Sequence, residues 1–347
     1  MGEVITRVVA IDPLTPDRTA IAEAASIIQT AQLVAFPTET VYGLGADGLN
    51  PTALGQIYAV KGRPSDNPLI LHIASPDQLP VVAAHVPTIA HCLMQAFWPG
   101  PLTLILPKTS RVPDLATAGL TTVAVRMPAH PVALALITAA ETPLAAPSAN
   151  RSGLPSPTTA QHVFDDLYGR IPLILDAGPT RIGLESTVLD VTCTPPVILR
   201  PGGITQEAIE ALIGPLQEGA NLAQRRRSPG TRYRHYSPKA RVVLVEGAQP
   251  ETLQAVVAKA LQHSERVGCL LHGLDSSHMP PIIRVTRISG SVADYAQGLF
   301  SALRALDRLG LDVIIVEGVQ EQGLGVAVMD RLRRAASPPR LPSGSTE

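Results

Sequence analysis

The stretch LVAFPTETVYGLGADG, residues 33–48, decides the fold. LVAF (33–36) is a short apolar run of the kind that fills a buried strand. Downstream, Gly43, Gly45 and Gly48 match the G-x-G-x-x-G spacing of a dinucleotide-binding turn. That turn needs a strand running straight into its glycines and a helix straight out of them. Here PTETVY separates the strand from Gly43, and LNP intervenes before a helix can start, so the match is weak. The better signal is the polar trio Thr38, Glu39 and Thr40 at the end of the strand. An open α/β sheet usually presents its ligand crevice there.

Working outward, further apolar runs suited to buried strands are LILHI (69–73), LTLIL (102–106), VAVRM (123–127), LAAPS (144–148), LILDA (173–177), STVLDV (186–191) and VILR (197–200). Helical patterns lie between them. One starts at Thr15 as N-cap, with Pro16 and Asp17 in the first turn and Ile21, Ala24, Ala25 and Ile28 on one face. Past residue 240 the alternation resumes. RVVLVEG, RVGCLLHG, IIRVTRI and LDVIIVEG read as strands, and PETLQAVVAKALQHSE and GVAVMDRLRRAA as helices. Between these, Val292, Tyr295, Ala296, Leu299, Phe300, Leu303 and Leu306 form one apolar helical face. Two α/β units follow: a large one over 1–216 and a smaller, Rossmann-like one over 241–335. The tail, 336–347, is Pro/Ser-rich and expected to be disordered.

Charge separates the pieces more sharply than the overall net of −1. Residues 1–216 hold 11 basic and 17 acidic residues, 217–241 hold 7 and 1, and 242–347 hold 10 and 11. The stretch 217–240 therefore reads as a basic linker, punctuated by Pro229, Gly230 and Pro238. A solvated tether and a lid over an anionic ligand both fit it. Near-neutral charge offers no field to draw the chain to DNA or an anionic membrane, and 3% aromatic residues make a poor stacking platform for single-stranded nucleic acid. No apolar run approaches a membrane span, and the N-terminus lacks a secretory pattern. Cys92, Cys193 and Cys269 have neither disulfide nor metal-ligand spacing. A cytoplasmic location is expected.

Polar residues recur at strand ends. KGRPSDNPLILHI (61–73) puts Lys61 and Arg63 ahead of a strand and His72 within it. Two cations one residue apart suit a polyphosphate, although a solvated turn with surface charge is the plainer alternative. Arg126 sits inside the apolar VAVRMPAHP. A buried charge needs a partner, which is either a core carboxylate or the carboxylate of a substrate. LAAPSANRSGLPSPTT offers Ser148, Asn150, Ser152 and Ser156, fit for an anion nest or for an ordinary turn with an N-cap at Thr158. GLESTVLDV and ILRPGGIT add Ser186 and Arg200. Taken together these groups point to one site for an anionic ligand.

These motifs, with SPGTRYRHYSPKA and a small α/β domain after it, resemble in order those of the YrdC-like domain family. The long two-domain form, the threonylcarbamoyl-AMP synthases, is the form resembled. The resemblance implies a twisted open sheet around a large concave cavity, with the smaller domain beside it. It implies condensation of L-threonine, bicarbonate and ATP to L-threonylcarbamoyladenylate and pyrophosphate. Mg²⁺ would accompany ATP, with no metal held by the protein itself. The product would pass to a threonylcarbamoyl transferase acting on tRNA, with tRNA bound weakly or transiently at most.

Residue by residue, the resemblance assigns Thr40, His72, Arg126, Ala146 and Ser186 to L-threonine. It assigns Lys61, Arg63, Asn67, Thr122, Ser148, Ser156, Arg200 and Tyr236 to ATP, with Lys61 and Arg63 also catalytic. Thr121 competes with Thr122, and His235 accompanies Tyr236. The chemistry suits such residues: phosphoryl transfer from a carbamate needs positioning and charge stabilisation rather than a covalent nucleophile. A non-catalytic RNA-binding module with a basic linker is the alternative, disfavoured by charge and by the scarcity of rings. Carbamoyl transfer for hydrogenase maturation, which uses a related domain, would need Cys-rich zinc motifs that three scattered cysteines do not supply.

Overall fold

A computed structural model describes residues 4–229, 236–247, 249–263, 265–277 and 279–336. Contacts divide the chain into two units, one of residues 1–152 and 156–232 and the other of 153–155 and 233–347. The division falls within the stretch read as a linker. His235 and residues 337–347 of the expected tail lie outside the described residues, while Ala336 ends a helix.

The first unit is a ten-stranded sheet. Its strands are β1 (Arg7–Ala10), β2 (Val34–Phe36), β3 (Gly43–Asp47), β4 (Ile70–His72), β5 (Leu102–Pro107), β6 (Thr122–Arg126), β7 (Leu144–Ala145), β8 (Leu173–Asp176), β9 (Thr187–Asp190) and β10 (Val197–Arg200). They lie in the order β1-β8-β2-β3-β7-β4-β6-β5-β9-β10, with parallel and antiparallel neighbours mixed.

The glycine-rich GLGADG is a strand, paired antiparallel with β2, and not a phosphate loop. Its glycines answer a packing demand: a Cβ on Gly45 would lie 2.7 Å from the Phe36 ring, and one on Gly48 2.7 Å from the Pro143 carbonyl. β1 and β3 were absent from the apolar runs read as strands. Both strands are paired in the sheet although β1 is largely exposed.

Two helix starts differ from expectation. The first helix runs from Arg18 to Gln29 and is capped by Asp17, whose carboxylate accepts the Ala20 N–H at 2.8 Å. Thr15 lies outside it, its N–H donated to Asp12. The helix Ala160–Leu167 is capped by Thr159, not Thr158. In both cases the neighbouring side chain sits where it can accept the orphan N–H of the third helical residue.

The helix Pro51–Lys61 packs Ala53, Leu54 and Ile57 against one sheet face, in a core with Leu44, Leu71, Leu104 and Val125. Gly62, at φ 63°, ends it in the left-handed conformation that glycine adopts without strain. The other face is covered in part by helices Arg18–Gln29 and Pro131–Ala140, which bury Phe36, Leu144, Ala146 and Leu175. Over β4, β6, β5, β9 and β10 that same face has a separate apolar cluster of Ile70, Ala124, Ile105, Val188, Val197 and Leu199.

The second unit has four parallel strands, β11 (Arg241–Val245), β12 (Val267–Leu271), β13 (Arg284–Arg287) and β14 (Val313–Glu317), in the order β11-β14-β12-β13. Two crossover helices, Pro250–Gln262 and Val292–Arg308, and the helix after the last strand, Leu324–Ala336, bury apolar stripes in it. This is the small open α/β fold expected. Among the described residues no helix is long and apolar enough to cross a membrane.

Candidate active site

Strand register collects the site. His72 pairs with Arg126, Arg126 with Thr103, Thr103 with Val188, and Val188 with Arg200. Residues directly opposite share a face, and alternation puts Ser186 and Thr122 on it too, two residues before Val188 and four before Arg126. Ala146 follows by the same count from Leu144, the partner of His72. Thr40 reaches Arg126 from the loop between β2 and β3. Thr122 and Arg126 stand at opposite ends of β6, about 13 Å apart at the usual rise per residue. Between them lies the apolar floor of Ala124, Ile70, Ile105 and Val188.

Arg126 is buried, and all three of its guanidinium nitrogens are engaged. Nε donates to the Gly100 carbonyl at 3.1 Å, Nη1 donates to Thr40 Oγ1 at 3.0 Å, and Nη2 lies 2.6 Å from Glu39 Oε1. Of the two partners open in the sequence, the core carboxylate is present: it is Glu39. The Nη2–Oε1 contact is an ion pair by distance but is not aligned as a hydrogen bond, and Glu39 Oε2 has no donor at all. The Thr40 hydroxyl also bonds Thr38 Oγ1 at 2.7 Å, which ties the whole TET turn to the arginine.

His72 is buried beside Arg126, and its Nδ1 has no partner. Burial, then the Arg126 charge, pulls its pKa down to about 3, against the carbonyls of Ile70 and Leu144. The ring is therefore neutral at physiological pH and offers a polar atom without a charge. His130, capping the helix Pro131–Ala140, is also pushed down by burial, with Glu39 acting in the opposite sense.

Arg200 donates to the Ser186 carbonyl at 3.1 and 2.8 Å, to Ser186 Oγ at 3.1 Å, and to the Pro229 carbonyl at 3.2 Å. Ser186 Oγ in turn meets Thr103 Oγ1 at 2.7 Å. Ser156 Oγ donates at 2.5 Å to Glu185, the neighbour of Ser186 in sequence. Gly202 permits this arrangement, since a Cβ there would lie 2.3–2.4 Å from the backbone of residues 185–187. The basic segment is ordered as far as it is described in this unit. Leu222–Arg225 is a helical turn, and Arg227 pairs with the buried Asp190 at 2.9 Å.

Lys61, last residue of the helix on the opposite face, sends its ammonium to the carbonyls of Ser148 and Asn150, each at 2.5 Å. Ser148 Oγ donates to Asn150 Oδ1 at 2.6 Å, and Ser148 bridges Gly43 on β3. Arg63 donates to the carbonyls of Asn67 and Pro68, so its fork shapes the turn that leads into β4. Lys61, Arg63, Asn67 and Ser148 thus gather near the strand ends remote from His72. Thr122 opens β6 at that end, whereas Thr121 is exposed.

Tyr236 belongs to the second unit, where its ring stacks on Phe300 with centroids 5.1 Å apart and Arg331 lies over it at 5.4 Å. Sequence reading left Thr103, Glu185 and His130 unremarked. Their signals were faint: a threonine in an apolar strand, and an acid and a histidine inside motifs chosen for their neighbours.

Family models extend this picture over the chain. A family described as telomere recombination matches residues 26–202, and the C-terminal domain of threonylcarbamoyl-AMP synthase matches residues 204–337. The chain belongs to the threonylcarbamoyl-AMP synthase family. The synthase of Pyrococcus abyssi is 51% identical over 321 residues, covering 90% of this chain and 93% of the relative. That of Bacillus subtilis is 48% identical over 330 residues, covering 94% and 95%. The crystal structure of P. abyssi Sua5 complexed with L-threonine superposes with a TM-score of 0.89 at 48% identity, over 95% of this chain and 97% of that one. The two-domain organisation is thus that of the family, and a non-catalytic RNA-binding module no longer fits.

Proposed function

We propose that the shared face of β4, β6, β5, β9 and β10 makes L-threonylcarbamoyladenylate, with L-threonine at the Arg126 end and the triphosphate toward the Lys61 end. The observation that carries this division is the register. It sets His72, Arg126, Ser186 and Arg200 on the face that also bears Thr122, across a span of about 13 Å. That length suits an amino acid and a nucleotide lying end to end. The P. abyssi relative is described as complexed with L-threonine, which supports an amino-acid pocket here.

Arg126, already braced by Gly100 and Thr40, takes the threonine carboxylate. Neutral His72, Ser186, Thr40 and the Ala146 backbone shape the rest of that pocket. Lys61, Arg63, Asn67, Thr122 and Ser148 hold the triphosphate, and Ser156 and Arg200, which lie beside Glu185 and Ser186, reach the nucleotide from the threonine end. Threonine arrives as a zwitterion, and its ammonium releases one proton to solvent before reaction; the neutral amine then adds to bicarbonate, and water is lost to give the carbamate. A carbamate oxygen then attacks the α-phosphorus, and pyrophosphate leaves with the bonding pair. Lys61 and Arg63 neutralise the charge that builds on the phosphates.

Mg²⁺ fits as part of the nucleotide substrate. Among the described residues no cluster of three His, Cys, Asp or Glu forms a protein cage, whereas triphosphate oxygens chelate the ion with little protein help. The adenylate is a hydrolysable mixed anhydride, so the enzyme hands it promptly to a transferase that carries the group to adenosine in tRNA; the expected setting is the cytoplasm. Pyrophosphate release from ATP should require both L-threonine and bicarbonate. Release that ignores threonine would refute the assignment.

A further inference from the structure

Glu39 is the buried group that the division of labour above leaves unused. It is 2% exposed, in the loop between β2 and β3, and its backbone carbonyl accepts the Ile182 N–H at 2.8 Å, which fixes the loop. One carboxylate oxygen lies 2.6 Å from Arg126 Nη2, and the other has no donor. Among the described residues no hydrogen-bond donor reaches that second oxygen. His130 is close enough to feel its charge, but its Nδ1 accepts the Val132 N–H, and no hydrogen bond joins the two residues. His72, on the other side of Arg126, is neutral and leaves its own Nδ1 open. The Thr38 and Thr40 hydroxyls are turned to each other, to Arg126 and to the Val41 carbonyl.

A carboxylate oxygen out of water and without a donor is costly, and folded proteins rarely leave one so. A cation with spare N–H donors, arriving beside Arg126, would satisfy it. An α-amino acid brings such a group, its ammonium, two bonds from the carboxylate that Arg126 would take. We propose that Glu39 is the acceptor for the α-ammonium of the amino-acid substrate. Glu39 and Arg126 then form a split ion pair that closes into a four-charge ring with a zwitterion. The pair selects a substrate bearing both charges and turns away hydroxy acids of the same shape. This rests on the threonine pocket proposed above.

The test is equilibrium binding of L-threonine and of 3-hydroxybutanoate, which lacks the amine, with a non-hydrolysable ATP analogue present and bicarbonate absent. Wild-type protein should prefer threonine. Glu39→Gln should weaken threonine about ten- to a hundredfold and leave 3-hydroxybutanoate within about threefold, so that the preference collapses. Equal loss for both ligands would make Glu39 only a brace for Arg126 and overturn the proposal. So would unchanged threonine binding. If E39Q fails to fold, Glu39→Asp keeps the charge and should keep the preference; losing it while still binding both ligands would count against the proposal. Arg126→Lys separates the two layers. If it leaves both ligands untouched, the pocket itself is misplaced, whereas weakening of both with no effect of E39Q condemns the ammonium contact alone.

Discussion

At the scale of single residues, the two ends of the face should respond to different substrates. Arg126→Lys keeps a charge beside Glu39 but loses the fork, and should raise the threonine KM about tenfold or more with little change in the ATP KM. Lys61→Ala should do the reverse. Steady-state kinetics with each substrate varied in turn measures both, and matching shifts in both constants would merge the two subsites. Removing Arg126 outright is a poorer test, because it strands Glu39 as an unpaired buried charge, a loss of about 3–5 kcal/mol.

His72 gives a prediction in pH. Its folded pKa, about 3, lies below the ordinary value of 6.5, so the unfolded chain binds the proton first as pH falls. The stability that neutral His72 contributes is complete above about pH 6.5 and is lost toward pH 3, at a limiting slope of about 1.4 kcal/mol per pH unit. Chemical denaturation between pH 4 and 7 should show a shallower dependence for His72→Asn than for the wild type, and identical slopes would contradict it. Arg126, His72, Ser186 and Arg200 were legible in the sequence because a polar residue in or beside an apolar strand has to be explained. That Arg126 pairs with Glu39 was not legible, since the partners lie 87 positions apart and no spacing links them.

At the scale of elements, the strand ends carry the site and glycine sets how closely they approach. Gly202→Ala would drive a methyl into the backbone of residues 185–187, where no side chain can swing aside. It should cost about 1–3 kcal/mol or more and move Ser186 and Arg200 with it. A melting point lower by several degrees together with weaker substrate binding is expected, and a variant with wild-type melting and kinetics would show that the segment has room. The long apolar runs were readable as strands from period and composition. β3 was not, because Gly43 and Gly45, the latter needed under Phe36, carry no side chain to show a strand's alternation. The caps moved by one or two residues for a similar reason: Thr15 and Asp17, or Thr158 and Thr159, are equally good acceptors on paper. Only the helix axis decides which oxygen meets the orphan N–H.

At the scale of the whole molecule, the sequence showed two α/β units and a basic stretch between them, but not where that stretch divides. Its first half is part of the large unit: Arg227 compensates the buried Asp190, and the Pro229 carbonyl accepts from Arg200. Residues 153–155 fall to the second unit, held by Ser237 and Arg304. Contacts such as that of Arg304 with Pro155, 149 positions apart, leave no periodic trace. With a net charge of −1 and adenylate formation complete before any transfer, added tRNA should leave the rate of pyrophosphate release unchanged. A stimulation that fades with salt would instead place RNA in the first step.

The central claim is that one sheet face seats both substrates. A crystal structure with L-threonine and a non-hydrolysable ATP analogue bound together tests it most directly. The threonine carboxylate should lie on Arg126 and the phosphates toward Lys61 and Ser148, with the amine facing the α-phosphate across room for one carbon. Ligands found on opposite faces of the sheet, or too far apart for that carbon to bridge, would contradict it.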